Sequence, residues 1–194
     1  MRLIAVCLLA SALIPSLSRA QDVPVFAIST ADSSIKFNVK ASVAIGGTFD
    51  NWNAALTFTS PNVTTGVLDV EIQAASVDTG SGMKDSKLKG PDFFDAANNP
   101  LITFKSTKLS QTGPNTFEVD GNFTIRGVTR LEKLTLAVSG VGTGSGQIKG
   151  TLYFDRKDYG MNSGIPFIKI ANRVEVNVDL KGNRVSGPPL VLRQ

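Results

Sequence analysis

Two carboxylate pairs are the residues of this chain best placed to do chemistry. Asp155 and Asp158 flank Arg156-Lys157, and Asp92 and Asp95 flank the aromatic pair Phe93-Phe94. Pairs of this kind can work as general acid and base or hold calcium. Each also sits beside basic residues or at an expected helical turn, where carboxylates cap and form ion pairs, and capping is the simpler role. The residues that are missing narrow the chemistry further. The chain has no His, and its one Cys, Cys7, lies in the first 20 residues. Once those are cleaved, no Ser-His-Asp or Cys-His nucleophile can be built. No His- or Cys-ligated zinc, copper or haem iron can be held either. The expectation is a binding protein, not an enzyme, with no catalytic residue, no metal and no cofactor.

Lys84, Lys87 and Lys89 cluster on a short helical turn expected over Met83–Lys89, which Gly90-Pro91 stops. They form either a solvated face or a positive rim beside an apolar opening. Such a rim suits an anionic head group or a membrane surface, and Arg156 and Lys169 near a later loop could contribute to it. Large apolar residues also stand on loops, in Phe93-Phe94 and in the run GIPFIKI at 164–170. A plain core has no need of them there, whereas the mouth of a binding cavity does.

The elements that must position these groups are strands. Apolar residues alternate with polar ones through Ile35-Phe37-Val39, Leu56-Phe58, Leu68-Val70-Ile72 and Ile102-Phe104. The same period runs through Phe117 to Ile125, Leu134 to Val138, Ile148 to Phe154 and Val174 to Leu180. Alternation gives each strand one wet and one dry face. Gly46-Gly47, Ser60-Pro61-Asn62, Gly113-Pro114-Asn115 and the loop 140–146 separate them. The expected fold is all-β: an eight-stranded antiparallel barrel with one short helical insertion. Such a barrel is filled by side chains or holds one small ligand. Small residues at Ala41, Gly121 and Gly150 are expected to leave space inside. The Gly-rich 140–146 loop lacks the helix and Lys of a phosphate loop.

Residues 1–20 read as a cleaved export signal: Arg2, an apolar run from Leu3 to Ile14, Pro15, and small residues Ser18 and Ala20 before the cut. The run is shorter than the ~20 residues of a membrane span. Residues 21–182 form one barrel domain, and 183–194 a partly frayed tail. Without Arg2 and Arg19 the 20 Lys+Arg fall to 18 against 16 Asp+Glu. So balanced a chain is no obvious nucleic-acid binder.

Several segments together resemble the YceI-like family. They are DSSIKFNVK (Asp32–Lys40), GGTFDNWNAALTF (Gly46–Phe58), VEIQAASVDTG (Val70–Gly80), KDSKLKGPDFFD (Lys84–Asp95), PLITFKST (Pro100–Thr107), GNFTIRGVT (Gly121–Thr129) and DRKDYG (Asp155–Gly160). The resemblance implies a lipocalin-like barrel that is exported to the periplasm, is often a homodimer, and holds a polyisoprenoid such as a quinone tail or prenyl lipid. Where the family often has His, this chain has Asp32, Ala41, Lys87 and Arg126. The residues expected to bind the chain are Phe37, Val39, Phe58, Ile72, Phe104, Phe123, Ile125, Leu136, Leu152, Phe154 and Val176, with Phe93, Phe94 and Phe167 at the mouth. The head-group rim is Lys84, Lys87, Lys89, Arg156 and Lys169. Transport, storage or protection of the lipid is the expected function, with transient contact to the inner membrane or a membrane redox protein. The competing expectations are a filled barrel acting through its surface and a carrier of fatty acids or amide lipids.

Overall fold

The computed structural model describes residues 23–42, 45–164 and 167–192, so the expected export signal lies outside the described residues. The elements follow in the order β1 (Val25–Ala41), β2 (Ile45–Phe49), β3 (Trp52–Thr57), β4 (Val67–Gln73), β5 (Val77–Asp78), α1 (Gly82–Lys89), β6 (Leu101–Gln111), β7 (Thr116–Ile125), β8 (Val128–Ser139), β9 (Ser145–Asp155) and β10 (Ile170–Ser186). They form one curled sheet, ordered β3-β4-β6-β7-β8-β9-β10-β1-β2-β5, with antiparallel pairing throughout.

Ten strands stand where eight were expected. The two additional ones are β2 and β5. Gly46-Gly47 interrupts the apolar alternation of β2, and β5 has two residues. Both continue longer runs. β2 bends into β3 through Asp50-Asn51, and β4 bends into β5 through a 3-10 turn at Ala74–Ser76. The bends bond to each other: the Asp50 N–H donates to the Ser76 carbonyl at 3.1 Å and the Gln73 N–H to Asn51 at 2.9 Å. Those bonds join the two ends of the sheet, and eight bent runs circle the interior.

Alternation decides which side chains face inward. Along β7, Phe117, Val119, Gly121, Phe123 and Ile125 point in, while their neighbours face solvent. The half of the barrel away from α1 is packed, apart from a pocket of about 70 Å³ beside the 140–146 loop. Ile35, Phe117, Val119 and Leu180 in this half are at most 1% exposed, and burial of each such side chain contributes about 1.5–3 kcal/mol. Gly121 and Gly150, expected to leave room, instead admit neighbours. A Cβ on Gly121 would meet the tip of the Phe104 ring at 2.4 Å, and one on Gly150 would meet Leu136 at 2.5 Å and Val178 at 2.8 Å. Each glycine is a hole that a longer side chain from an adjacent strand fills.

The tail is docked up to Leu192. β10 continues to Ser186, Val191 bridges Asn62, and Leu190 and Leu192 pack on the core. Two apolar side chains, Leu190 and Leu192, and the backbone hydrogen bonds of Val191 to Pro61 and Val63 hold the segment after Gly187-Pro188-Pro189.

Candidate functional site

The half of the barrel under α1 is hollow. A cavity of about 430 Å³ opens there, within the size range of small-ligand pockets. Its wall is built from strand ends: Phe37 and Val39 of β1, Ile72 of β4, Ile102 of β6, Phe123 and Ile125 of β7, Phe154 of β9, and Val174 and Val176 of β10. Ile45 and Phe49 of β2 complete one side. Val39 and Val176 remain half-buried although they sit on inward rows, because they face the hollow and not a packed neighbour. The surface the cavity presents is hydrocarbon.

A lid covers this end. α1 has a single buried residue, Leu88, and it faces the cavity. The turn after α1 is wound tightly: the Phe94 N–H donates to Leu88 O and the Ala96 N–H to Lys89 O, both at 2.9 Å. That turn drives Phe93 and Phe94 inward, 5% and 7% exposed. Phe94 meets Phe37 edge-on at 6.3 Å and packs 5.8 Å from Phe49. Asp95 takes a left-handed φ of 49°. The side-chain amides of Asn98 and Asn99 donate to its carboxylate at 3.0 Å and hold it there.

The other side of the lid is residues 161–164 and 167–170, which contribute Met161, Ile168 and Ile170. Arg156, 6% exposed, holds this segment. Its Nε donates to Ala171 O at 3.2 Å, and its Nη1 donates to the carbonyls of Met161 and, at 3.0 Å, Ser163. Asp92 ties the two sides together, accepting from Lys87 Nζ and from Ser163 Oγ. The β7–β8 turn, with φ of 54° at Arg126 and 71° at Gly127, is a two-residue hairpin of the left-handed kind. From it Arg126 donates to Gly160 O at 2.5 Å and to Pro91 O at 2.9 Å. Under the lid Tyr159 is wholly buried, edge-on to Phe123 and Phe154, and its hydroxyl donates to Glu132 at 2.8 Å. Burial, then the bond to Glu132, pushes that phenol far above its ordinary range.

The Lys87 and Ser163 hydrogen bonds hold the Asp92 carboxyl below the usual carboxylate range. A carboxyl depressed in the folded state stabilises above its unfolded value and loses that contribution as pH falls through the folded one. Protection of the amides in residues 82–89 and 161–164, taken relative to their intrinsic exchange rates, is therefore expected to fall below about pH 4. Asp92→Asn should show the lower protection already at pH 7. Protection factors in both segments that stay the same at low pH and in this variant would rule out the tie.

The structure brings nine of the expected chain-binding residues to the cavity: Phe37, Val39, Ile72, Phe93, Phe94, Phe123, Ile125, Phe154 and Val176. Phe104, Leu136 and Leu152 point inward but lie in the packed half. Phe58 packs on Phe26, ring centroids 5.7 Å apart, also away from the cavity wall. Phe167 turns out of the mouth and is fully exposed. Of the rim residues, Lys84, Lys87 and Arg156 line the opening; Lys89 and Lys169 do not. Arg156 serves its own backbone, so it anchors the lid and is not a rim charge. Ile102 and Val174 stand on the same alternating rows as the residues named from sequence, and that pattern could have found them. Leu88 and Met161 carry no such signal, because the lid alone brings them in, whereas Ile168 belongs to the apolar loop run 164–170 expected at the mouth.

Three of the four paired carboxylates cap or latch, and Asp158 stands in the first turn of the short 3-10 helix 156–159. Asp155 accepts from the Lys157 N–H at 2.8 Å, and Asp92 and Asp95 have the partners given above. A filled barrel would have no hollow under the lid, and this barrel has one. Among the described residues no three His, Cys, Asp or Glu side chains group to hold a metal.

The YceI-like domain model matches residues 26–182. This chain belongs to the YceI-like family. A UPF0312 protein of Azotobacter vinelandii (strain DJ / ATCC BAA-1303) is 32% identical over 84 residues, 43% of this YceI-like chain and 44% of that protein. The chain spans about half the length of several such curated relatives. A UPF0312 protein of Shewanella sp. (strain ANA-3) is 27% identical over 165 residues, 79% of this chain and 83% of that one. Among solved structures, Burkholderia cenocepacia BcnA superposes with a TM-score of 0.73 at 25% identity, covering 80% of this chain and 99% of that one. A polyisoprenoid binding domain from Saccharophagus degradans superposes at 0.64 with 14% identity, covering 83% and 99%, a likeness of fold. The curled antiparallel sheet is thus the lipocalin-like YceI fold.

Proposed function

We propose that this protein binds the hydrocarbon tail of an isoprenoid lipid, a quinone or prenyl lipid, and carries, stores or protects it after export to the periplasm. The observation that carries the reading is the hydrocarbon-walled cavity of about 430 Å³ under a latched lid. A wall without polar surface selects for a chain and gives a head group no partner inside, so the head group stays at the mouth. Burial contributes about 0.8 kcal/mol per methylene, less the rotational freedom the chain gives up. Membership of the YceI-like family and the fold shared with a polyisoprenoid binding domain support the choice of an isoprenoid. Binding needs no catalytic group, in keeping with carboxylates that cap and latch.

Native mass spectrometry of the protein from the periplasm, with solvent extraction of any bound lipid, tests this. A stoichiometric prenyl chain is the expected result. A fatty acid or amide lipid would keep the cavity and change the ligand class. A clean apo mass with no uptake of added isoprenoid quinones would sink the proposal.

A further inference from the structure

The two most exposed large apolar side chains among the described residues stand on opposite sides of the cavity mouth. Phe167 is 106% exposed and Met83 is 86% exposed; every other exposed large hydrophobic is at 68% or below. Met83 opens α1 and lines the cavity entrance, and Phe167 directly precedes Ile168, which lines the entrance from the facing loop. Phe167 also has a left-handed φ of 63°, a conformation that bulky residues rarely adopt. Among the described residues its side chain is covered by nothing.

Charge surrounds the pair. Lys84 and Lys87 follow Met83 on α1 and line the entrance, and Lys169 follows Ile168 and is exposed. Ser42 fixes the Lys169 backbone from both sides: the Lys169 N–H donates to Ser42 Oγ at 3.2 Å, and the Ser42 N–H donates to Lys169 O at 3.0 Å. The carboxylates of this face are engaged locally. Asp85 accepts from the Thr79 N–H and hydroxyl at 2.8 and 2.6 Å, and Asp92 is held by Lys87 and Ser163. Exposed apolar tips set among lysines are the chemistry of an interfacial membrane contact: the tips enter the headgroup region and the lysines meet anionic phosphates.

We infer that the mouth face docks on an anionic phospholipid bilayer through Phe167 and Met83, flanked by Lys84 and Lys169. The inference rests on the lipid-binding reading for its purpose, since the docked face is the doorway of the cavity. A tail can then pass between bilayer and barrel without crossing water.

Flotation with phosphatidylglycerol-containing and pure phosphatidylcholine vesicles tests the docking. Wild-type protein is expected to float with the anionic vesicles and to release with added salt. Met83→Ser with Phe167→Ser should weaken that partition about tenfold or more, and Lys84→Glu with Lys169→Glu should weaken it by at least as much. Both double substitutions replace exposed residues, and unchanged thermal melts would show that folding is intact. Val176→Trp, which fills the cavity, should still float, so docking is read separately from carriage. Failure of wild-type protein to float would overturn the inference, as would flotation indifferent to the anionic lipid or to both double substitutions. Concentration-dependent self-association without vesicle binding would assign the face to a second copy instead.

Discussion

A carboxylate introduced at Val176 is expected to empty this protein of lipid while leaving it folded. Val176 faces the hollow from β10 and is only half-buried, so a longer side chain finds space there. An ionised carboxyl in a hydrocarbon-walled cavity loses its hydration and gains no partner from a lipid tail, at a cost of several kcal/mol. At 1.4 kcal/mol per decade this weakens tail binding by about a hundredfold or more. Val176→Glu, compared with wild type by extraction and native mass spectrometry, should therefore run as a folded, lipid-free barrel. Phe123→Glu is a poorer probe. Phe123 packs 5.2 Å from Phe154 and 5.5 Å from Tyr159, and a charge there breaks the aromatic cluster that supports the lid. Full lipid content in folded Val176→Glu would place the ligand outside this cavity.

Phe104→Ala is expected to lengthen the chain the barrel accepts and to lower stability steeply. Phe104 is 6% exposed, and its ring tip occupies the space left by Gly121, beside its cross-strand partner Phe123 and two residues along β6 from the cavity-lining Ile102. Removing the ring should cost about 3–5 kcal/mol, the range for deleting a buried aromatic, read as a fall in the urea midpoint. The hollow should deepen towards the packed half. Offered a series of prenyl lipids, the variant should retain members longer than wild type prefers. The complementary change, Gly121→Val, forces the Phe104 ring aside and should destabilise by about 1–3 kcal/mol without lengthening the ligand. A destabilised Phe104→Ala with an unchanged length preference would make Phe104 core and nothing more.

Period-two alternation was enough to show an all-β barrel, because a strand exposes successive side chains to opposite faces whatever surrounds it. Along Phe117 to Ile125 that rule gave the inward row correctly, Gly121 included. It also drew Ile72, Ile102 and Val174 inward without any knowledge of their neighbours. The residue types that the chain lacks are equally plain in the sequence, which has no His and one Cys, at position 7.

Which inward residues wall the hollow was not legible. Alternation is the same at Phe104 and Phe123, yet one fills a glycine hole in the packed half and the other walls a cavity. What separates them is the identity of the residue on the adjacent strand, at a distance in sequence that only the pairing register sets. β2 and β5 escaped notice for the opposite reason: two glycines and a two-residue length leave no pattern, and partner strands hold them in place. Loop residues carried no facing rule at all. Phe93 and Phe94 turn inward because the turn after α1 is pinned by backbone hydrogen bonds, while Phe167, equally aromatic, turns outward. The sequence determined that there would be a barrel with one dry face and few reactive groups. Where the dry interior is hollow, and which loop aromatics cap it, was decided by contacts between distant segments.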